Sequence, residues 1–179
     1  MTRFFILFFS TFLGIHSIYS QNSNFLNFDS YNDYISTSIP SVFQDIENNS
    51  FTIELWIRPR PNPSESVVGM ILQAEKDGFN DIAIYRAHNQ LNFNVKYNRN
   101  NKRTWSSEPL PNNSWTHITL IWNSNSKESN IYVNGVVLTN LEHYEEVSQY
   151  SNGESLVNQM WIGTRGTFHS LNGSIDELR

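Results

Sequence analysis

The nine residues Phe51–Pro59 read FTIELWIRP, and their alternation decides the fold. Phe51, Ile53, Leu55 and Ile57 fall on one side of an extended chain, and Thr52, Glu54, Trp56 and Arg58 on the other. Successive side chains of a strand point to opposite faces, so this period of two marks a strand with one buried face. Pro59, Pro61 and Pro63 end the run, because proline has no N–H to give to a ladder.

The same period recurs outward in both directions. Leu91, Phe93, Val95 and Tyr97 alternate in QLNFNVKYN, residues 90–98. GMILQAEK, DIAIYRA, RTWSSE, WTHITLIWN and QMWIGTR supply further short strands, and NFLNFDSYNDYISTS places Phe25 and Asn27, then Tyr34 and Ser36, around a polar turn. NIYVNGVVLTN is a hairpin: two apolar runs flank Asn134-Gly135, the pair that best tolerates the positive φ values of a type I′ turn. In NLEHYEEVSQY, Leu141, Tyr144 and Val147 recur near helical spacing, which suggests a loop or a single turn. The last nine residues, LNGSIDELR, open another strand after an Asn-Gly turn, carry the adjacent acids Asp176 and Glu177, and stop as that strand begins. Short strands with frequent turn signals predict an all-β protein, a β-sandwich or a barrel.

Composition bounds the function. A chain of 179 residues is the size of one domain, with enough surface to bury a core without covalent staples. It contains no cysteine, so disulfides, thiolate metal sites and thiol catalysis are excluded. A formal net charge of -5 argues against a nucleic-acid partner, whose phosphates attract a basic face. The first twenty residues, MTRFFILFFSTFLGIHSIYS, combine a basic start, a short apolar run and a terminal Ser, the pattern of a secretory signal peptide cleaved after Ser20. The run from Phe4 to Ile15 is shorter than the roughly 20 residues a membrane span needs, so no membrane insertion follows signal cleavage. Residues 24–179 then form one exported domain, secreted or held at the cell surface.

The order of LNFDSYNDYIS, FTIELWIRP, PLPNNSWTHITLIWN, NIYVNG, MWIGTR and LNGSIDELR resembles that of the laminin-G-like, or concanavalin A-like, jelly-roll family, in the branch that also resembles pentraxins. The resemblance implies two antiparallel sheets packed face to face, one concave and one convex. It also implies that the GSIDE strand runs on, so the last strand looks truncated here and further domains are expected past Arg179. Trp56, Trp115 and Trp161 coincide with family core positions, which assigns them to packing.

Four kinds of chemistry are weighed against plainer roles. The resemblance implies a structural calcium between the first and last strands, held by Asp29 and Asp176 with backbone carbonyls, and with Asp33 or the Asn32 side chain adding oxygens. The plainer alternative makes Asp29 a turn former and Asp176 a solvated edge residue. Glycoside hydrolysis needs two facing carboxyls about 5 Å apart for retention. Glu54 stands alone on its strand, and Ser174 occupies the place of a further acid in SIDE. This favours a non-catalytic domain, with two alternatives: an accessory domain of a glycoside hydrolase, or a glycoside hydrolase itself. His88, His117, His143 and His169 make no metal-ligand pair. The remaining possibility is recognition of a glycan or a cell-surface protein. Sugar rings stack on aromatic faces, and flanking amides and charges bind their hydroxyls. The candidate residues are Phe79 and Asn80, then Tyr97, Arg99 and Trp105, then Phe168 and His169. Against these stands an inert spacer between other domains. Asn48, Asn112 and Asn172 lie in glycosylation sequons.

Overall fold

The computed structural model describes residues 25–30, 33–61, 68–76, 80–97, 101–138, 142–147, 158–163 and 170–179. Among them lie the strands β1 Leu26–Asp29, β2 Ile35–Ser38, β3 Phe51–Pro59, β4 Gly69–Lys76, β5 Asn80–Ala87, β6 Gln90–Lys96 and β7 Asn101–Pro109. They continue with β8 Thr116–Asn123, β9 Glu128–Val133, β10 Val136–Val137, β11 Glu142–Val147, β12 Gln159–Ile162 and β13 Asn172–Asp176. One short 3-10 helix, Ser41–Asp45, seats Phe43 in the interior. The expected signal peptide, and the cleavage point with it, falls outside the described residues.

Every strand ladder is antiparallel. The strands form a six-stranded sheet in the order β1-β13-β3-β8-β9-β10 and a seven-stranded sheet in the order β11-β7-β6-β5-β4-β12-β2. The chain is therefore all-β, as its alternation predicts, and a two-sheet sandwich rather than a barrel, as the family resemblance implies. Neighbours in each sheet are often distant in sequence, as β13 lies between β1 and β3.

The interior is built by the predicted parity. Phe51, Ile53, Leu55 and Ile57 of β3 and Ile118, Leu120 and Trp122 of β8 belong to one buried cluster with Leu72, Ile82, Ile84, Leu91, Phe93, Val95 and Trp105 of the other sheet. Burying each large apolar side chain contributes about 1.5–3 kcal/mol. Trp122 is completely buried, yet its indole N–H is satisfied by the Ile46 carbonyl at 3.0 Å. Its ring meets Trp105 at 6.1 Å and Tyr97 at 5.5 Å, and Trp105 stacks on Phe93 at 5.8 Å.

Local turn chemistry fixes the register. Asn134 and Gly135 have φ of 50° and 77°, the positive pair that the β9–β10 hairpin requires. His88 and Asn89, with φ of 50° and 65°, make the corresponding turn between β5 and β6 without an Asn-Gly signal. At Gly163, φ is 95° and a Cβ would stand 2.2 Å from the Phe28 ring, so only glycine fits.

One sequence expectation is overturned. The segment around Tyr144 is no loop or single turn. Glu142–Val147 is strand β11, paired along its length with β7 from Glu142 opposite Ser106 to Val147 opposite Asn101. Three weakly spaced apolar residues are a poor helix signal, and the open edge of β7 offers a full set of backbone partners.

Candidate functional site

The outward face of the six-stranded sheet carries the residues that alternate with the core. On β3 these are Thr52, Glu54, Trp56 and Arg58, and the ladder sets Asp176 of β13 opposite Trp56 on one side and His117 of β8 on the other. Trp56 is 37% exposed, a large value for an indole in the middle of a sheet. His117 holds it from one side, with ring centroids 5.1 Å apart. A second aromatic group lies one step along the strand. The Arg58 guanidinium sits 5.0 Å from the Phe25 centroid and 5.1 Å from that of Trp115, and these two rings meet edge to face at 5.5 Å. Arg58 also reaches Ser174 Oγ, at 3.5 Å.

Between the aromatics lies a cleft of about 370 Å³, lined by Trp56, Trp115, Asp176 and Glu177. It is a shallow, open depression rather than an enclosed pocket, so a ligand seated there keeps one side in water. The acidic wall owes its shape to a bulge. Asp176 is opposite Trp56, and Arg179 exchanges both backbone hydrogen bonds with Glu54, at 2.9 and 3.0 Å. Glu177 and Leu178 therefore share a single facing residue, Leu55. Glu177 takes up the extra length with a φ of 48°, which turns a side chain that strict alternation would hide toward the cleft. Asp176 Oδ1 accepts the Glu177 N–H at 2.9 Å, and Glu177 Oε2 pairs with exposed Arg179 at 2.8 Å. An exposed pair of this kind contributes little stability.

This cleft combines a flat indole with acceptor-only carboxylates. It can stack a ring that has an apolar face and receive hydrogen bonds from the groups at that ring's edge.

The residues expected from sequence are distributed differently. Trp105 is 2% exposed and Tyr97 is 8% exposed, each with its ring packed against Trp122. Both are interior residues rather than ligand platforms, because they share the inward parity of Phe93 and Val95. Asn80 begins β5, opposite Lys76 of β4. Phe79, Arg99, Phe168 and His169 lie outside the described residues. Trp56, assigned to packing on the family resemblance, is instead the exposed centre of the cleft, and Trp115, assigned likewise, lines its wall. The signal that finds Trp56 is the alternation of FTIELWIRP itself, which already set it beside Glu54 and Arg58.

The outward side of the seven-stranded sheet mixes buried polar residues with partly open ones: Tyr85, Asn94, Thr104 and Trp161 are half-buried and Ser36 is exposed. Gln73, Glu75, Asn92, Lys96 and Ser106 alternate with core residues and yet are all under 9% exposed. They are partly satisfied among themselves: Ser106 Oγ donates to Asn92 Oδ1 at 2.6 Å, and the Asn92 amide donates to the Gln90 carbonyl at 3.2 Å. At one end of the sandwich the buried Arg86 guanidinium donates to the Arg60 carbonyl at 2.7 Å and to the side-chain oxygens of Asn89 and Asn112 at 2.5 Å each. Desolvation lowers its affinity for the proton below the usual arginine value.

The first and last strands are neighbours, as the calcium expectation requires, but its two carboxylates do not converge. Asp29 is opposite Asn172, four residues from Asp176, or about 13 Å along the strand. Calcium–oxygen distances of roughly 2.3–2.6 Å cannot span that gap. Asp33 is the acid beside Asp29, its Oδ2 accepting the Asp29 N–H at 3.0 Å. Among the described residues no cluster of three or more His, Asp or Glu side chains is placed to share an ion.

A family model, Laminin_G_3, described as the concanavalin A-like lectin/glucanases superfamily, matches residues 29–179, and the chain belongs to that family. Solved structures share the fold at low identity. Domains LG4-5 of the mouse laminin alpha1 chain align with a TM-score of 0.58 and 13% identity over 85% of this chain and 40% of that one. The native heptameric SAP-like pentraxin from Limulus polyphemus gives 0.54 and 14%, covering 86% and 73% respectively. A botulinum neurotoxin type C structure, whose cell entry depends on interaction with two ganglioside molecules, gives 0.52 and 18% over 79% of this chain and 33% of that one. The chain thus spans less than half the length of the laminin and neurotoxin chains. No curated protein is significantly similar to it in sequence.

Proposed function

We propose that this chain is an exported binding module that recognises a glycan through the Trp56 cleft. The carrying observation is an indole left 37% exposed in the centre of a sheet, beside two carboxylates, with an open depression against it. Leaving such an apolar face in water forgoes burial energy, which a ligand ring can recover. A sugar fits this chemistry. Its axial C–H surface lies on the indole, and its hydroxyls donate to Asp176 and Glu177. The match to the concanavalin A-like lectin/glucanases superfamily supports a glycan as ligand class. Family membership and the apolar start of the sequence support export.

In this role Trp56, Trp115, Asp176 and Glu177 take the place of Tyr97 and Trp105, while Phe79, Asn80, Arg99, Phe168 and His169 remain candidates. Calcium is retained as a structural ligand of Asp29 and Asp33, without Asp176. The test is a glycan array probed with the full chain and with Trp56→Ala. Retention on at least one glycan, lost in the variant, is expected. No retention on any glycan would favour a spacer, and turnover of the bound sugar would favour a hydrolase.

A further inference from the structure

The charges around the cleft narrow the ligand, on the footing that a sugar binds at Trp56. We infer that the cleft takes a neutral or amine-bearing sugar and discriminates against one bearing a carboxylate or sulfate. Its lining has two acids and no base. Glu54, two residues before Trp56 on the same face of β3, adds a third acid nearby. The nearest strand cation, Arg58, is not in the lining: its guanidinium is engaged with the rings of Phe25 and Trp115 and with Ser174. Arg179 meets Glu177 from an exposed position, 67% against 53% accessible, where solvent screens the pair.

Carboxylates only accept hydrogen bonds. A ligand seated on Trp56 must therefore bring donors toward Asp176 and Glu177, either hydroxyls or an ammonium group. An anionic substituent there places like charges within a few ångströms. Between the dielectric of water and that of a protein surface, this weakens binding by about tenfold or more. The penalty is electrostatic, so added salt narrows it as the screening length shortens.

The experiment is a calorimetric titration of the full chain with oligosaccharides of equal length that differ in one group: hydroxymethyl, amine or carboxylate. The expected order is amine at least equal to neutral, and both about tenfold or more tighter than carboxylate. In Asp176→Asn the gap between neutral and carboxylate sugars shrinks several-fold, while Trp56→Ala loses all three. A carboxylate sugar bound as well as the neutral one, with both still lost in Trp56→Ala, would overturn the charge rule and leave the cleft standing. Binding unaffected by Trp56→Ala, or absent for all three sugars, would overturn the cleft and the charge rule together.

Discussion

Trp105 and Trp56 carry the same indole in the same sandwich, and one is 2% exposed while the other is 37% exposed. Around Trp105 the aromatics are a stack: Phe93, Trp105, Trp122 and Tyr97 close on one another between the sheets. Around Trp56 they are a platform, with His117 on one side and the Phe25–Arg58–Trp115 group further along the strand. The difference is parity. Trp105 lies on β7 opposite Phe93, on the inward register, and Trp56 lies on β3 between inward Leu55 and Ile57. An aromatic residue in a β protein is therefore assigned by its neighbours at i±1 and i±2, not by its type.

The sharpest way to break this comparison is to remove the interior member. Trp105→Ala should cost about 3–5 kcal/mol, the usual effect of deleting a buried aromatic, and lower the melting temperature by about 10 °C or more. A shift under about 3 °C in a thermal melt would mean that the interior stack does not hold the sheets together.

Arg86→Met tests the closed polar end against the open cleft. It strands the acceptors of Arg60, Asn89 and Asn112, and should cost about 1–3 kcal/mol in urea unfolding with sugar binding unchanged. Lost binding at unchanged stability would tie that end to the ligand.

Chelation sharpens the separation of Asp29 from Asp176. For an ion present at ten times its dissociation constant, excess chelator should lower stability by about 1.4 kcal/mol. Asp29→Asn should abolish that chelator effect and Asp176→Asn should keep it. The reverse pattern in paired melts would return the ion to the cleft.

A smaller effect than at Trp105 is expected at Trp56. Trp56→Ala removes an indole that is 37% exposed, at a cost of about 1–2 kcal/mol, while glycan binding disappears. A large loss of stability there would make Trp56 a packing residue after all.

Much of this is legible in the sequence. The period of two placed Phe51, Ile53, Leu55, Ile57, Leu91, Phe93 and Val95 inside, and all are buried. Asn134-Gly135 marked its hairpin through the left-handed backbone that glycine and asparagine tolerate. The cleft was half legible. Trp56 stood on the polar face of its strand, but the family resemblance outweighed the alternation. Tyr97 and Trp105 read as exposed because they flank a basic hairpin tip, and polarity at a tip says nothing about residues a step or two inside the sheet.

By itself the sequence determined which residues of each strand share a face, because extended backbone alternates its side chains whatever the strand packs against. It also determined the all-β class, since a chain of half-apolar strands must hide one face of each, in a sandwich or a barrel alike. Only the tertiary structure decided which strands became neighbours. The ladder that sets β13 beside β3 brings Asp176 to Trp56 across a separation of 120 residues, and the bulge at Glu177 turns a second acid toward the same indole. Pairing between distant strands depends on the free energy of the whole sheet, and no local pattern records it.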